Sequence, residues 1–146
     1  MVDANAADCV NDESIEMSWA IAAYDHAEVH YDVLSAVPDA KVLRLSPFDD
    51  KIYAEFCKTF PDFDVERFTE GDIKSNEQKE LWRNFCNNFD GVVDDFNRGT
   101  LLRLDSSQEY SESNTCIVPR VQFLAIEIAR NRRGINNRIH KMKPGS

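Results

Sequence analysis

The chain reads as a mainly α protein: a single-domain orthogonal helical bundle of about five or six helices with short extended segments. Three observations predict it. Apolar residues recur at three- and four-residue steps in several segments, helix-start signals precede those segments, and one stretch, Val121 to Ala129, is apolar on nearly every side. A length of 146 residues suits one domain with its own core, and 42% hydrophobic content with nine Phe, four Tyr and two Trp excludes wholesale disorder.

Residues 1–11 are small and polar and read as a disordered leader, residues 12–142 as the helical domain, and residues 143–146 as a flexible tail. A long helix opens near Asp12, with Trp19, Ala20, Ala23, Tyr24, Ala27, Tyr31 and Leu34 at helical spacing, and Val37-Pro38-Asp39 ends it. Lys41 to Leu45 is β-prone. Ser46-Pro47-Phe48-Asp49 then reads as a cap, a proline in the first turn and an acidic residue, opening a helix that carries Ile52, Phe56 and Phe60 to Pro61.

After a loop, Thr69 is placed to cap one turn through Lys74. Ser75-Asn76-Glu77-Gln78 is a capping-box pattern that starts an amphipathic helix. Trp82, Phe85, Cys86, Phe89, Val92, Val93 and Phe96 extend its period, Gly91 predicts a kink or a close crossing, and Gly99 a C-terminal cap. Leu101 to Leu104 alternates as an extended piece, and Asp105 to Asn114 is a polar loop. Pro119 stands near the start of the all-round apolar helix, which belongs at the centre of the bundle; Gly134 ends it, and Ile135 to Met142 forms a short basic helix.

No apolar run approaches the ~20 residues of a membrane helix, and Met1 to Val10 lacks the layout of a signal peptide, so a soluble, unsecreted protein is expected. Cys9, Cys57, Cys86 and Cys116 are scattered without a C-x-x-C pair and read as reduced thiols. Residues 1–100 hold 9 Lys/Arg against 22 Asp/Glu, while residues 101–146 hold 8 against 4. An acidic body argues against DNA or RNA as the main partner and suits approach to a basic protein surface, although a merely solvated acidic face accounts for it equally.

Several constellations invite chemistry. His26 and His30 share a helix face four residues apart, yet His140 is the only other histidine, so no metal is expected. Asp49-Asp50 and Asp94-Asp95 lack a flanking nucleophile, base and orienting group; helix-dipole stabilisation explains Asp49, and Arg98 is the obvious partner for the second pair. Glu127 lies inside the apolar helix, where a lone carboxylate is costly, and is expected to pair with Arg130, Asn131, Arg103 or Arg120, the alternative being a polar contact at a partner surface. Arg130, Arg132, Arg133, Arg138, Lys141 and Lys143 make the C-terminal end basic. No phosphate-cradling glycine loop or nucleophile elbow is present.

Ile15-Glu16-Met17-Ser18-Trp19-Ala20, His26-Ala27-Glu28-Val29, Phe48-Asp49-Asp50-Lys51-Ile52-Tyr53 and Trp82-Arg83-Asn84-Phe85 occur in order. The run from Asp95-Phe96-Asn97-Arg98-Gly99 to Asp105 and the run from Pro119-Arg120 to Arg130-Asn131 follow them. Together they resemble the polysaccharide biosynthesis domain-containing protein 1 family, from about Ile15 to Ile135. The resemblance implies a cytoplasmic, monomeric, non-enzymatic chaperone without cofactor or metal. Its implied client is the nascent GTPase domain of translation elongation factor 1-alpha on ribosome–nascent-chain complexes, with no membrane and no direct DNA binding. It also implies partner-binding roles for Trp19, Tyr24, Asp95, Asn97, Arg103, Arg120, Glu127, Arg130 and Asn131. Two other readings remain: a ribosome- or protein-binding adaptor acting through the basic C-terminal helix, and an enzyme of polysaccharide or methyl-transfer chemistry.

Overall fold

The computed structural model describes residues 5–142, with side-chain surroundings from Ser18 onward. Six α-helices and one two-stranded antiparallel sheet form the described fold: α1 (Asn5–Ala36), α2 (Asp49–Thr59), α3 (Glu70–Lys74), α4 (Asn76–Asn87), β1 (Gly99–Arg103), β2 (Thr115–Pro119), α5 (Arg120–Arg132) and α6 (Asn137–Met142). The mainly α expectation holds. The helical domain assigned to residues 12–142 is accompanied by an earlier start, because α1 begins at Asn5 inside the segment read as a disordered leader. Ala6 and Ala7 are strong helix formers, and extending an existing helix costs far less than nucleating one. Residues 1–4 and the tail, 143–146, lie outside the described residues.

Helix α5 is the centre. Every residue from Val121 to Asn131 is buried, as its all-round apolar pattern predicts. Around it lie Ile52 and Phe56 of α2, Trp82 and Phe85 of α4, and Leu102, Cys116 and Val118 of the sheet. An aromatic cluster fills one side, with Trp82 stacked on Phe60 at 4.1 Å between centroids. Helix α1 seats its stripe of Ala23, Ala27, His30 and Leu34, while Ala20 and Tyr24 of the expected ring face outward. Two alanines on that stripe let the helix lie close to β1.

Four local expectations change. Lys41 to Leu45 forms no strand: Ala40–Val42 is a 3-10 turn, capped by Asp39 and held where Ala40 N donates to Asn137 Oδ1 at 2.7 Å. Helix α2 opens at Asp49 rather than being capped by Ser46; the buried Asp49 carboxylate instead reaches back to Leu45 N and Ser46 N, both at 2.8 Å. Thr69 does cap α3 with a reciprocal bond from Asp72, and Ser75 caps α4. The helix that the period carries to Phe96 stops at Asn87, however, and the chain turns through Gly91 (φ 80°) and Asp95 (φ 53°). Gly99 is therefore a strand residue rather than a helix cap. The fourth change is β2, unforeseen, which pairs with β1 in the register Gly99 to Pro119 through Arg103 to Thr115.

Candidate functional site: an acidic tyrosine groove over a buried ion network

Glu127, in the middle of α5, is fully buried. Arg103 from β1 donates to both of its carboxylate oxygens at 3.2 and 3.3 Å, and Arg130, one helical turn on, donates at 2.8 Å. Asn136, in the link to α6, donates at 2.9 Å to Glu127 and at 2.6 Å to Asn131 Oδ1. Two cations surround one anion, and backbone carbonyls disperse the surplus positive charge. Arg103 reaches Ser106 O, while Arg130 reaches Val65 O and Arg103 O. Burial alone would push the Glu127 carboxyl up, but Arg103 and Arg130 outweigh it and hold the group well below the usual carboxylate range.

The network continues towards α1. His30 Nε2 stands 3.8 Å from Glu127, too far for a hydrogen bond, while Nδ1 meets the Tyr110 hydroxyl at 2.8 Å. Burial lowers the His30 pKa to about 4, Glu127 opposing and Arg103, His26 and Arg130 assisting. The imidazole is therefore neutral at neutral pH, and in the tautomer that turns Nε2–H towards Glu127 the Tyr110 hydroxyl donates its hydrogen bond to Nδ1. Burial likewise raises the Tyr110 phenol, whose ring lies 5.7 Å from the Arg103 guanidinium carbon. No cluster of three metal-ligating groups occurs among the described residues; the His26 and His30 rings stack at 6.4 Å and both meet Phe123 edge-on.

Tyr110 joins this interior to a surface groove of about 500 Å³. Tyr24, Glu28, Tyr31 and Asp32 of α1 form one wall, spaced so that both tyrosines and both carboxylates fall along one side of the helix. Glu109, Tyr110, Ser111 and Glu112 of the β1–β2 loop form the other, and Leu101 and Thr115 lie between. Among the described residues, four carboxylates and no cation line the groove. None of those four makes an ion pair among the described residues, whereas Asp50, Glu66 and Asp105 all do.

The residues implied as partner-binding scatter over this geometry. Arg103, Glu127, Arg130 and Asn131 come together, but all are buried and build the network beneath the groove. Tyr24 is 61% exposed and stands in the groove wall. Trp19 is half-buried against Gly99. Arg120 lines a small cleft of about 90 Å³ with His26 and Arg98. Asp95 occupies a turn, its carboxylate 3.9 Å from Arg98 as its sequence neighbourhood suggests, and Asn97 lies in a different groove. Glu28, Asp32, Glu109, Tyr110 and Glu112 were not singled out from sequence; the signal was a lone tyrosine between glutamates in an otherwise polar loop. The C-terminal arginines are largely engaged within the chain: Arg132 with Asp50, Arg138 with Glu66, and Arg133 with the Tyr53 hydroxyl.

Comparison with known proteins bears out the family resemblance. The family model described as "PBDC1 protein" matches residues 15–141. Protein PBDC1 of Homo sapiens is 52% identical over 130 residues, covering 89% of this chain and 55% of the human protein. The Saccharomyces cerevisiae homolog is 48% identical over 137 residues, covering 91% of this chain and 93% of the yeast protein. A solution NMR structure of a Saccharomyces cerevisiae protein superposes with a TM-score of 0.83 at 44% identity, covering 91% of this chain and 93% of that one. The chain thus spans just over half the length of the human relative and 65% of that of Mus musculus. With the fold shared and the match running through nearly every element, this chain belongs to the PBDC1 family.

Proposed function

We propose that this protein is a cytoplasmic, non-enzymatic chaperone that engages the nascent GTPase domain of translation elongation factor 1-alpha at the ribosome, as a monomer. The observation that carries the reading is the groove between α1 and the β1–β2 loop, where four uncompensated carboxylates stand among Tyr24, Tyr31 and Tyr110. A Lys- or Arg-bearing segment of an unfolded client finds there charge-assisted hydrogen bonds and aromatic faces for its cations. Tyrosine adds contact area with little rotamer entropy to lose. The network below holds Tyr110 and the loop in place before a client arrives, so less ordering remains at the moment of binding.

An enzymatic reading would draw on His30 and Glu127, whose titration is shifted by burial and by neighbouring charge, but both lie beneath Tyr110 and are closed off from the groove. The adaptor reading draws on the basic residues of the C-terminal end, and of these Arg132 of α5 and Arg138 of α6 are engaged with α2 and with the loop before α3, while Lys141 is exposed. The chaperone reading is tested by translating the elongation factor's GTPase domain in a eukaryotic cell-free system depleted of this protein, then adding the purified chain back. Restored protease resistance of the new domain, with the chain recovered on ribosome-bound nascent chains, is the expected result. Unchanged protease sensitivity and no recovery would overturn it.

A further inference from the structure

A second groove, of about 450 Å³, runs between α4 and the outer edge of β2, and its charge is inverted. Lys74, Lys79 and Arg83 line it and none of its 13 lining residues among those described is acidic, on a chain with 26 carboxylates and a net charge of −9. Lys79 and Arg83 make no ion pair among the described residues, while Lys74 lies 3.2 Å from Glu70. The floor is apolar, with Trp82, Cys86 and Phe96.

The groove borders an open strand edge. Among the described residues the sheet has two strands, and Leu104 N donates to Asn114 O at 2.8 Å, one step beyond the last register pair. Antiparallel strands alternate strictly, so the hydrogen-bonded positions of the second strand are Cys116 and Val118. The N–H and C=O groups of Thr115 and Ile117 then point away from β1; Ile117 borders this groove, and Thr115 lies at the acidic groove's end of the same edge. The opposite alternation on β1 agrees: Arg103 O faces outward and accepts from Arg130. Ile117 is 46% exposed, and no loop or turn backbone group pairs with it or with Thr115 N–H among the described residues. Pro119 takes the last outward position, where its missing N–H costs the sheet nothing and bounds the edge at one end.

We propose that this edge accepts a third strand: an extended segment of another polypeptide that alternates apolar side chains with carboxylates. Its main chain pairs with Thr115 and Ile117, its apolar side chains fall over Cys86 and Phe96, and its carboxylates meet Lys79 and Arg83. Strand addition of this kind draws affinity from main-chain hydrogen bonds and selectivity from the flanking side chains. The charge inversion selects the occupant. A second copy of this chain would bring the same lysines and arginine against themselves across an edge-to-edge dimer, whereas an acidic strand is complementary. The edge meets the acidic groove at Thr115, but its cations, Lys79 and Arg83, line only the second groove, and the site does not depend on the identity of the client in the first.

Fluorescence anisotropy with a labelled Asp-Val-Asp-Val-Asp-Val peptide and the full chain tests this at low salt. Binding on the order of 10 μM is expected, weakened about tenfold or more by the Lys-Val counterpart peptide, by N-methylation of alternate peptide amides, and by Lys79→Glu with Arg83→Glu. Ile117→Pro should do the same with an unchanged circular dichroism spectrum; the N-methylated peptide carries the test should that variant not fold. No binding at ~100 μM peptide, equal affinity for the N-methylated peptide, or a dimer of the unliganded chain in sedimentation that is lost in Ile117→Pro would each overturn the proposal.

Discussion

Trp19 of α1 lies directly against Gly99 of β1: a methyl group at residue 99 would overlap Trp19 Cζ2 and stand 2.8 Å from Cε2. The contact explains why the strand begins with glycine, and it seats the middle of α1 on the sheet beside the groove. Gly99→Ala must displace the indole, an overpacking cost of about 1–3 kcal/mol, measurable by urea denaturation. In a Trp19→Ala background the same substitution should cost only a few tenths of that. An equal penalty in both backgrounds would show that the indole is not what the methyl group meets.

Gly91 is glycine for a different reason. No atom lies within 4 Å of where its Cβ would be, but its φ is +80°. Space is no obstacle, so Gly91→Ala should lose about 1–2 kcal/mol through left-handed backbone strain alone, and Gly91→Asn less. Asp95, at φ 53°, is the mirror case. Asp95→Gly should be neutral or slightly stabilising in thermal melts, since aspartate there serves the turn as much as any contact.

Glu127 is the one anion between Arg103 and Arg130 among the described residues of the buried network. Glu127→Ala leaves two buried guanidinium groups without their carboxylate, a loss of about 3–5 kcal/mol, comparable with the whole stability of a small domain. Arg103→Ala and Glu127→Ala combined should cost much less than the sum of the two, because they remove one interaction. Chemical denaturation of the four-member cycle measures the coupling; additive losses would mean that the two side chains act independently.

The pH dependence follows from His30. Its folded pKa lies at about 4 against an ordinary 6.5, so between those values the unfolded chain binds a proton that the folded chain does not. Stability therefore falls with acid across that window, with a slope approaching ~1.4 kcal/mol per pH unit. Glu127 acts in the same sense at lower pH: its depressed folded pKa contributes stability above the ordinary carboxylate range that is lost as pH drops through it. Urea denaturation of His30→Asn against the parent chain at pH 4.5 to 7 should show a flatter profile for the variant. Matching slopes would remove His30 as the titrating group.

Much of this architecture was legible because the relevant signals are local. The period of α5, the Thr69 and Ser75 caps and the ending at Gly134 all follow from short-range chemistry, and Glu127 could be assigned buried partners because a lone carboxylate in an apolar helix demands them. What stayed hidden is non-local. The heptad-like run through Phe96 conceals the end of α4, because Phe89 and Val93 remain buried after the helix has stopped. Strand β2 is five residues whose pairing is decided by β1, and the groove joins α1 to a loop some eighty residues away. Tyr24 and Tyr31 fit the apolar period of α1, so their outward placement follows only once His30 is seen to take the inward stripe.

Glu28 and Asp32 decide whether the groove is a contact surface or merely solvated acid. Both are exposed on α1, so Glu28→Lys with Asp32→Lys should leave the melting temperature nearly unchanged, surface charges being worth little to stability. Recovery of the chain on nascent GTPase-domain complexes should nevertheless fall about tenfold or more, with a weaker salt dependence in what remains. Reversing two exposed acids away from the groove, Glu80 and Asp90, shifts the net charge by the same amount and serves as the control. If steering by total charge is the whole effect, both pairs weaken recovery alike. If the groove holds a basic segment, only the first pair does, and Tyr24→Ala, which leaves the charge untouched, weakens it as well.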